Sequence, residues 1–295
     1  MHPAEHKSPT EDAALKRLIA ANLPSLHAKT IALCEGTFEV LADIPAAYRV
    51  GLFAEPKTYS CYVRLSNVSP VVQPDEVKDV RGLAIKLLHV PGAKVAASTE
   101  AGSQDFVLST TPVVHVGTAA RLAARARDPL FALKRVLSGQ WRALATGGTR
   151  PSSLLNLRYH SGVAYAFGDK LAVKYLLVPV AAAPVPRRHP VQDDFLSAQA
   201  QAQLHCMDVA FDFCVQVGRA GLSVEDASVR WSEQEAPPVV LARLSLPRQT
   251  FRTKERRALA ASLCFDPVHA LEVHRPIGSL NRAGEALYKA RRSRT

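Results

Sequence analysis

The sequence contains few cysteines, and no two of them are closely spaced. The five, Cys34, Cys61, Cys206, Cys214 and Cys264, are odd in number and lie far apart in the chain. This pattern argues against a disulfide framework and against a thiolate metal site. We therefore expect reduced thiols and a cytoplasmic location.

Long apolar runs and common nucleotide-binding loops are also missing. No segment reaches about 18 consecutive apolar residues, and the first residues, MHPAEHKSPTEDAALKRL, lack the basic start and apolar run of a secretory signal. We expect a soluble chain without a transmembrane segment. The absence of GxGxxG, Walker A and HExxH motifs argues against a dinucleotide fold, a P-loop enzyme and a zinc protease.

Positive charge exceeds negative charge over the chain as a whole. The net charge is +11 and the pI is about 9.6, a balance that attracts anionic partners in general. Only RTKERR and the tail KARRSRT are dense in positive charge, and neither contains the interleaved aromatic residues of a single-strand nucleic-acid platform. We expect no specific nucleic-acid partner.

The length and the apolar content suit a large buried core. The chain has 295 residues, 47% of them hydrophobic, which fits one extended domain or two small ones. Residues 1–12 are polar and contain proline, so we predict a flexible arm there. A single domain over residues 13–295 is predicted to follow it.

Periodicity along the chain predicts both helices and strands. Helical spacing of apolar residues occurs in EDAALKRLIAANL, in TAARLAARARDPLFALKRVLSGQWRALA, which Asp128–Pro129 interrupts, and in FLSAQAQAQLHCMD. Strand patterns occur in GTFEVLADI, TYSCYVRLSNV, RGLAIKLLHV, QDFVLST, AVKYLLVPV, FDFCVQVG and VVLARLSLP. PGAKVAASTEAGS is predicted to be a disordered loop. Because the helices are grouped between strands, the order favours an α+β fold on an antiparallel barrel with helical insertions.

Four stretches resemble, in order, segments of the catalase superfamily, in the form of its shorter bacterial catalase-related branch. LHAKTIALCEGTFEV resembles the distal-histidine segment, and YVRLSNVSPVVQPDEVKDVRGLAIKLL resembles Arg-Phe-Ser followed by Asp-x-Arg-Gly-x-Ala-x-Lys, the most specific match. QDFVLSTTPVV matches the strand of the distal asparagine, and FDPVHALEVHRPIGSLNRAGEALYKARR is similar to the C-terminal segment. The resemblance covers roughly residues 20 to 292. It implies an antiparallel β-barrel that binds haem b, with a C-terminal helix that carries the proximal tyrosine.

The resemblance implies roles in the chemistry for three residues. Tyr288 would ligate the haem iron as a phenolate. His27 would lie on the opposite face of the haem, as the base that moves a proton between the two oxygens of a hydroperoxide. Ser66 would hydrogen-bond the other imidazole nitrogen and fix its tautomer. The residues alone leave open that Tyr288 only flanks an apolar helix stripe and that His27 is an ordinary core or surface histidine.

The same segments contain charged candidates. Arg64, two residues before Ser66 on the same strand face, would pair with a haem propionate. Arg81 and Asp79 flank the next turn, where they either contact the haem or form a structural ion pair that closes the loop. Lys86 is expected to be solvated.

On the distal side the sequence departs from the family pattern. Pro24 stands where an arginine often reaches the propionates, and the asparagine position falls on Ser109 or Thr110, which offer a hydroxyl instead of an amide. Val114 and His115 replace two phenylalanines. We expect a wider pocket and weaker activation of the peroxide.

On the proximal side an arginine is missing. Gly284 stands one helical turn before Tyr288, where the family has the arginine that keeps the phenol ionised. Arg291 or Arg292, three and four positions after Tyr288, could replace it.

The expected function is a haem-dependent peroxidase or catalase-like enzyme. Its substrate would be hydrogen peroxide or an organic hydroperoxide, including a lipid hydroperoxide, with a small organic molecule as reductant. Peroxidase turnover is favoured over dismutation, since dismutation needs a second peroxide held in place by the missing side chains. A degenerate relative that binds haem weakly or not at all and has a non-enzymatic role remains open. So does a basic nucleic-acid or membrane-surface protein, on net charge alone, and the oligomeric state could be a homodimer.

Overall fold

The computed structural model describes residue 13 and residues 27–127, 148–185 and 193–292, without the side chains of residues 125–127 and 288–292. The predicted N-terminal arm lies outside the described residues. So do nearly all of the predicted first helix and the part of the second helical block beyond residue 127.

The described part of the chain holds nine β-strands, in which side chains alternate between a barrel interior and an outer face. In β2, for example, Cys61, Val63 and Leu65 are buried in the core, as period-2 geometry requires. The strands are β1 (Thr30–Val40), β2 (Thr58–Asn67), β3 (Arg81–Leu87), β4 (Gln104–Ser109), β5 (Tyr159–His160), β6 (Tyr165–Phe167), β7 (Leu171–Pro179), β8 (Val209–Val217) and β9 (Val239–Leu246).

Eight of these strands close into an antiparallel barrel. The pairing order β5-β4-β3-β2-β1-β9-β8-β7 becomes a ring because β5 also pairs with β7. β6 pairs with the same edge of β7, further along that strand. Closure removes the unpaired edges that an open sheet would present.

Aromatic rings fill the barrel. The ring centroid of Phe213 lies 4.7 Å from that of Phe106 and 5.0 Å from that of Phe38, and Phe106 meets Tyr175 edge-on at 5.0 Å. Such tilted contacts add to the stabilisation from burying the rings. Because the interior is packed solid, a large ligand has to bind outside the barrel wall.

Four α-helices in the described residues lie outside the barrel. The N-terminus of the third is capped by Thr253, whose hydroxyl accepts a hydrogen bond from the Arg256 amide. The first and fourth contact each other through Ala119, Ala123 and Ala283. The helices are α1 (Ala119–Arg127), α2 (Phe195–Cys206), α3 (Lys254–Ser262) and α4 (Ser279–Arg292). No helix among the described residues is long and apolar enough to cross a membrane.

The predicted fold class is confirmed, and one local prediction is wrong. Each predicted strand stretch contains a strand, whereas β5 and β6 were not predicted. The loop of residues 91–103, predicted to be disordered, is held by specific contacts. Thr99 hydrogen-bonds His269, Lys94 donates to the Ser103 carbonyl, and Glu100 pairs with a barrel lysine. His269 is 170 positions from Thr99 in sequence, so local composition could not reveal that contact.

Candidate functional site

A row of residues on the outer face of the barrel brings together several of the predicted site residues. Ser66 in β2 is paired with Gly82 in β3, Gly82 with Ser109 in β4, and Ser109 with His160 in β5. Neighbouring strands are spaced about 4.8 Å apart. The row therefore forms a short polar band with a glycine gap in the middle.

His27 lies just before β1 and covers this gap. Its φ angle is +64°, a left-handed conformation that non-glycine residues seldom adopt, although histidine tolerates it better than most. The flanking backbone holds it there, since the His27 amide donates to the Val68 carbonyl and the Ala28 amide to the Ser69 carbonyl. Conformations of this kind persist only where the surroundings enforce them, and they often mark functional sites.

The imidazole of His27 is fixed by Ser66 and Gly82. Nδ1 lies 2.9 Å from the Ser66 hydroxyl oxygen, a hydrogen-bond distance. A Cβ atom at Gly82 would lie 2.8 Å from His27 Nδ1 and Cε1 and from Ser66 Oγ. Only a residue without a side chain allows this packing, and sequence reasoning did not identify Gly82 as part of the site.

The environment keeps His27 neutral. Burial, followed by the positive charge of Arg64, lowers the pKa of His27 from its ordinary value to about 4, against the opposing effect of a hydrogen bond with the Asn67 backbone. A neutral, oriented imidazole at pH 7 can accept a proton.

Arg64 lies on the same outer face as Ser66. The carbon of its guanidinium group is 4.7 Å from the ring centroid of Phe265, a cation–π contact. Its charge is close enough to affect the titration of His27. The predicted pair of Arg64 and Ser66 is therefore on one face, beside the histidine.

The strand register separates Ser109 from Thr110, which the sequence left as alternatives. Ser109 lies on the same face as Gly82, and its hydroxyl is within 3.4 Å of the Thr111 carbonyl and 3.2 Å of the Thr111 hydroxyl. The hydroxyl of Thr110 instead accepts a hydrogen bond from the Arg81 amide. Ser109, and not Thr110, is therefore the residue that lies beside Gly82 in the row.

Arg81 does not join this row. It lies next to Gly82 in β3 and therefore on the opposite strand face, fully buried, and its guanidinium donates to the Asn67 side chain and to the carbonyls of Asp75 and Val77. These partners are a side-chain amide and two backbone carbonyls, so Arg81 holds the loop before β3 by hydrogen bonds and not by the predicted ion pair with Asp79. The carboxylate of its predicted partner Asp79 accepts hydrogen bonds from the Ser69 amide and from Gln73, and burial raises the pKa of Asp79.

Lys86 is buried, so the prediction of a solvated lysine is wrong. Its ammonium lies 3.0 Å from Asp105 and 2.6 Å from Glu100, and His269 approaches the same Asp105 oxygen at 3.1 Å. This cluster is on the outer face of β3 and β4, four residues along β3 from Gly82. Period-2 alternation places Lys86 on the outer face, but only the covering segment around His269 buries it.

Val114 borders the far end of the row. Its amide donates to the Ala227 carbonyl, and one of its methyl groups would be 3.1 Å from a Cβ at Gly162, two residues after His160. His115 is exposed. Neither Val114 nor His115 therefore places a ring over the site, as the two phenylalanines of the family pattern would.

The proximal candidates fall largely outside the described residues. The backbone of Tyr288 belongs to α4, but its side chain and those of Arg291 and Arg292 lie outside the described residues. Pro24, on the distal side, lies outside the described residues as well. Gly284 lies in α4, and a Cβ there would meet no described heavy atom within 4 Å.

No protein-family model matches the sequence, and no curated protein matches it. Solved structures do match. A fungal catalase is 18% identical with a TM-score of 0.67 over 91% of this chain and 58% of its own, and catalase A from Saccharomyces cerevisiae is 16% identical with a TM-score of 0.64 over 90% and 58%. A bacterial catalase is 16% identical, with a TM-score of 0.57 over 99% of this chain and 62% of its own.

The chain therefore has a catalase-like fold. At identities of 16–18% the likeness establishes the fold alone. The chain spans about three fifths of the length of these catalases.

Proposed function

We propose that the protein is a haem-dependent peroxidase that reduces hydrogen peroxide or an organic hydroperoxide, with haem b as its cofactor. The observation that carries the proposal is the state of His27. Its imidazole is neutral at pH 7, held in a left-handed backbone conformation, and hydrogen-bonded to Ser66. A neutral imidazole that is fixed through one ring nitrogen can accept a proton at the other.

The residues around His27 suit one face of a haem. Gly82 and the small Ser66 side chain let the imidazole lie directly against the barrel wall, with Ser109 on the next strand beside Gly82. Arg64 brings a guanidinium charge to the same face, and such a charge can pair with a propionate. We propose that Tyr288 would ligate the haem iron, on the resemblance of the α4 segment. When bound, the haem would supply an iron that binds the peroxide and takes up its oxidising equivalents.

The residues of the chain itself would move the proton. With Nδ1–H donated to Ser66, Nε2 of His27 accepts a proton from one peroxide oxygen and delivers it to the other. The O–O bond breaks, and the protonated oxygen leaves as water or as an alcohol. Two electrons and two protons from a small organic reductant would then release the second oxygen as water and complete the turnover. Ser109 would donate its hydroxyl to the peroxide.

Haem binding is tested first, by the ultraviolet–visible spectrum of the purified protein after haem supplementation. We expect a Soret band with ferric tyrosinate features that is lost or moved in Tyr288→Phe. Tyr48→Phe is the matched control, since it removes the hydroxyl of a tyrosine that lies before β2 and packs edge-on against Phe167. A wild-type protein that binds no haem would refute the proposal.

Peroxide turnover is tested next. Loss of a positioned base costs about 100-fold or more, so we expect a fall of that size in His27→Gln. The control is His205→Gln, which changes an exposed histidine on α2. Equal turnover in both variants would remove His27 from the mechanism.

One observation favours a second candidate, a haem-binding protein without useful turnover. The Ser109 hydroxyl is already within hydrogen-bond distance of Thr111, so it is less available to steer a peroxide. Haem binding without turnover of hydrogen peroxide, tert-butyl hydroperoxide or cumene hydroperoxide would select this candidate.

A further inference from the structure

A buried ion pair lies two residues from His27. The Lys29 ammonium is 2.8 Å from Asp75 Oδ1, with side-chain exposures of 13% and 0%. The same ammonium donates to the carbonyls of Gln73 at 3.2 Å and Asp193 at 2.6 Å. Three acceptors thus fix the end of this lysine side chain, which holds it far more firmly than an exposed lysine would be held.

The backbone between His27 and Lys29 is held at both ends. The His27 amide donates to the Val68 carbonyl, and the Asn67 amide donates to the Lys29 carbonyl. Residues 27–29, which carry the imidazole, therefore form a short bridge that connects the end of β2 to the Lys29 ion pair. The Ala28 amide, which donates to the Ser69 carbonyl, holds the middle of this segment, so a displacement of the Lys29 backbone would act on residue 27 against that bond.

Asp75 connects that anchor to the rest of the fold. Its second carboxylate oxygen accepts a hydrogen bond from the Leu196 amide at the N-terminus of α2, at 2.9 Å, and its own carbonyl accepts one from Arg81. An amide at a helix N-terminus is a favourable donor to a carboxylate. One side chain thus joins α2, the loop before β3 and the segment of His27.

We infer that Asp75 is a positioning residue for His27, which holds Lys29 so that residue 27 stays in its left-handed conformation with the imidazole against Gly82 and Ser66. The importance of this for catalysis rests on the proposed function, but the positioning itself does not. Without the Asp75 charge, Lys29 keeps only carbonyl partners and can turn to solvent. Residue 27 can then relax to an ordinary φ, since the left-handed form is intrinsically disfavoured.

The test is a histidine NMR titration of the haem-free protein, with the His27 signal identified by its loss in His27→Gln. In the wild type the pKa of His27 should be about 4. In Asp75→Asn and in Lys29→Met we expect it to move by one unit or more toward the ordinary value of about 6.5, because the imidazole leaves its buried slot. Lys29→Arg, which keeps the cation, should retain the wild-type value.

A purely stabilising ion pair would give a different result. It would lower the unfolding temperature of the variants and leave the pKa of native His27 unchanged. Asp212→Asn is the matched control, since it removes the 2.8 Å pair with Arg243 on β8 and β9, away from His27. Lys29→Met leaves the Asp75 carboxylate on the Leu196 amide, so it remains usable if Asp75→Asn does not fold.

The inference is overturned if the folded variants titrate His27 within about 0.3 units of the wild type, or if Asp212→Asn shifts it as much as they do. A separate haem spectrum distinguishes failure of the proposed function. Haem that does not bind, together with a shifted His27 titration, would refute the peroxidase and leave the role of Asp75 intact.

Discussion

Replacing Gly82 by alanine tests the packing of the candidate site most directly. The added methyl carbon would lie 2.8 Å from two atoms of the His27 ring and 2.8 Å from the Ser66 hydroxyl. Carbon contacts are optimal near 3.5–4.0 Å, so the ring has to move. Gly82 is in a strand without a positive φ, and an alanine backbone is therefore unstrained there. The effect should come from the contact alone.

The expected cost follows from three contributions. Overpacking of a tight site costs about 1–3 kcal/mol, and loss of the hydrogen bond between His27 and Ser66 adds about 1 kcal/mol. The smaller conformational freedom of alanine in the unfolded chain returns about 0.4–1 kcal/mol. We expect the free energy of unfolding to fall by about 1–3.6 kcal/mol.

Urea denaturation measures this fall, and the NMR titration of His27 reports where the ring has gone. In Gly82→Ala the pKa of His27 should rise from about 4, as the ring leaves its buried position. Gly102→Ala is the control, because a Cβ there meets nothing within 4 Å. If both variants match the wild type in stability and in the His27 pKa, the packing of His27 on Gly82 is wrong.

Three further predictions concern other residues. Burial lowers the pKa of His274 to about 4, whereas its value in the unfolded chain is about 6.5. Because the unfolded chain therefore binds the proton more readily, the free energy of unfolding is highest above about pH 6.5. It should fall by up to about 3 kcal/mol as the pH drops to 4. His274→Gln, which keeps an acceptor for the Leu52 amide, should flatten this dependence in urea denaturation, and an unchanged slope would contradict it. Lys86→Met leaves the buried Asp105 without its cation, so the free energy of unfolding should fall by about 3–5 kcal/mol. The control Lys170→Met, at an exposed lysine, should change it very little. Equal losses in the two variants would refute the buried pair. On the proposed function, Ser109→Asn adds an amide donor worth about 1 kcal/mol and should raise the ratio of hydrogen peroxide to cumene hydroperoxide turnover about fivefold, and a lower ratio would count against a role for Ser109 in steering the peroxide.

The barrel strands were predictable because alternation is a local property. The apolar positions of β2 at residues 59, 61, 63 and 65 are the ones that enter the interior. The predicted interruption at Asp128–Pro129 lies outside the described residues. β5 and β6 could not be predicted, since two or three residues carry no period. Their existence depends on β7, which offers them an edge.

The residues of the candidate site could be predicted only through the resemblance to the catalase superfamily. His27 and Ser66 are brought together as expected, although they are 39 positions apart and no local pattern pairs them. The choice of Ser109 over Thr110 required the register of β3 with β4. Lys86 was misassigned because its burial depends on His269, which is 183 positions away in sequence.

The barrel is held together most weakly at the short strand β5, which forms few residue pairs with its neighbours. β5 is connected to β4 through a single residue pair, Ser109 with His160, and to β7 through two, whereas long ladders join the other neighbours. Local opening requires the loss of few contacts there, and we expect amide hydrogens on both sides of β5 to exchange with solvent earlier than those of β1 and β2. Ser109 belongs to the pair that joins β4 to β5, so local opening there would first widen the end of the candidate site next to His160. A bulky molecule would enter the site from that end.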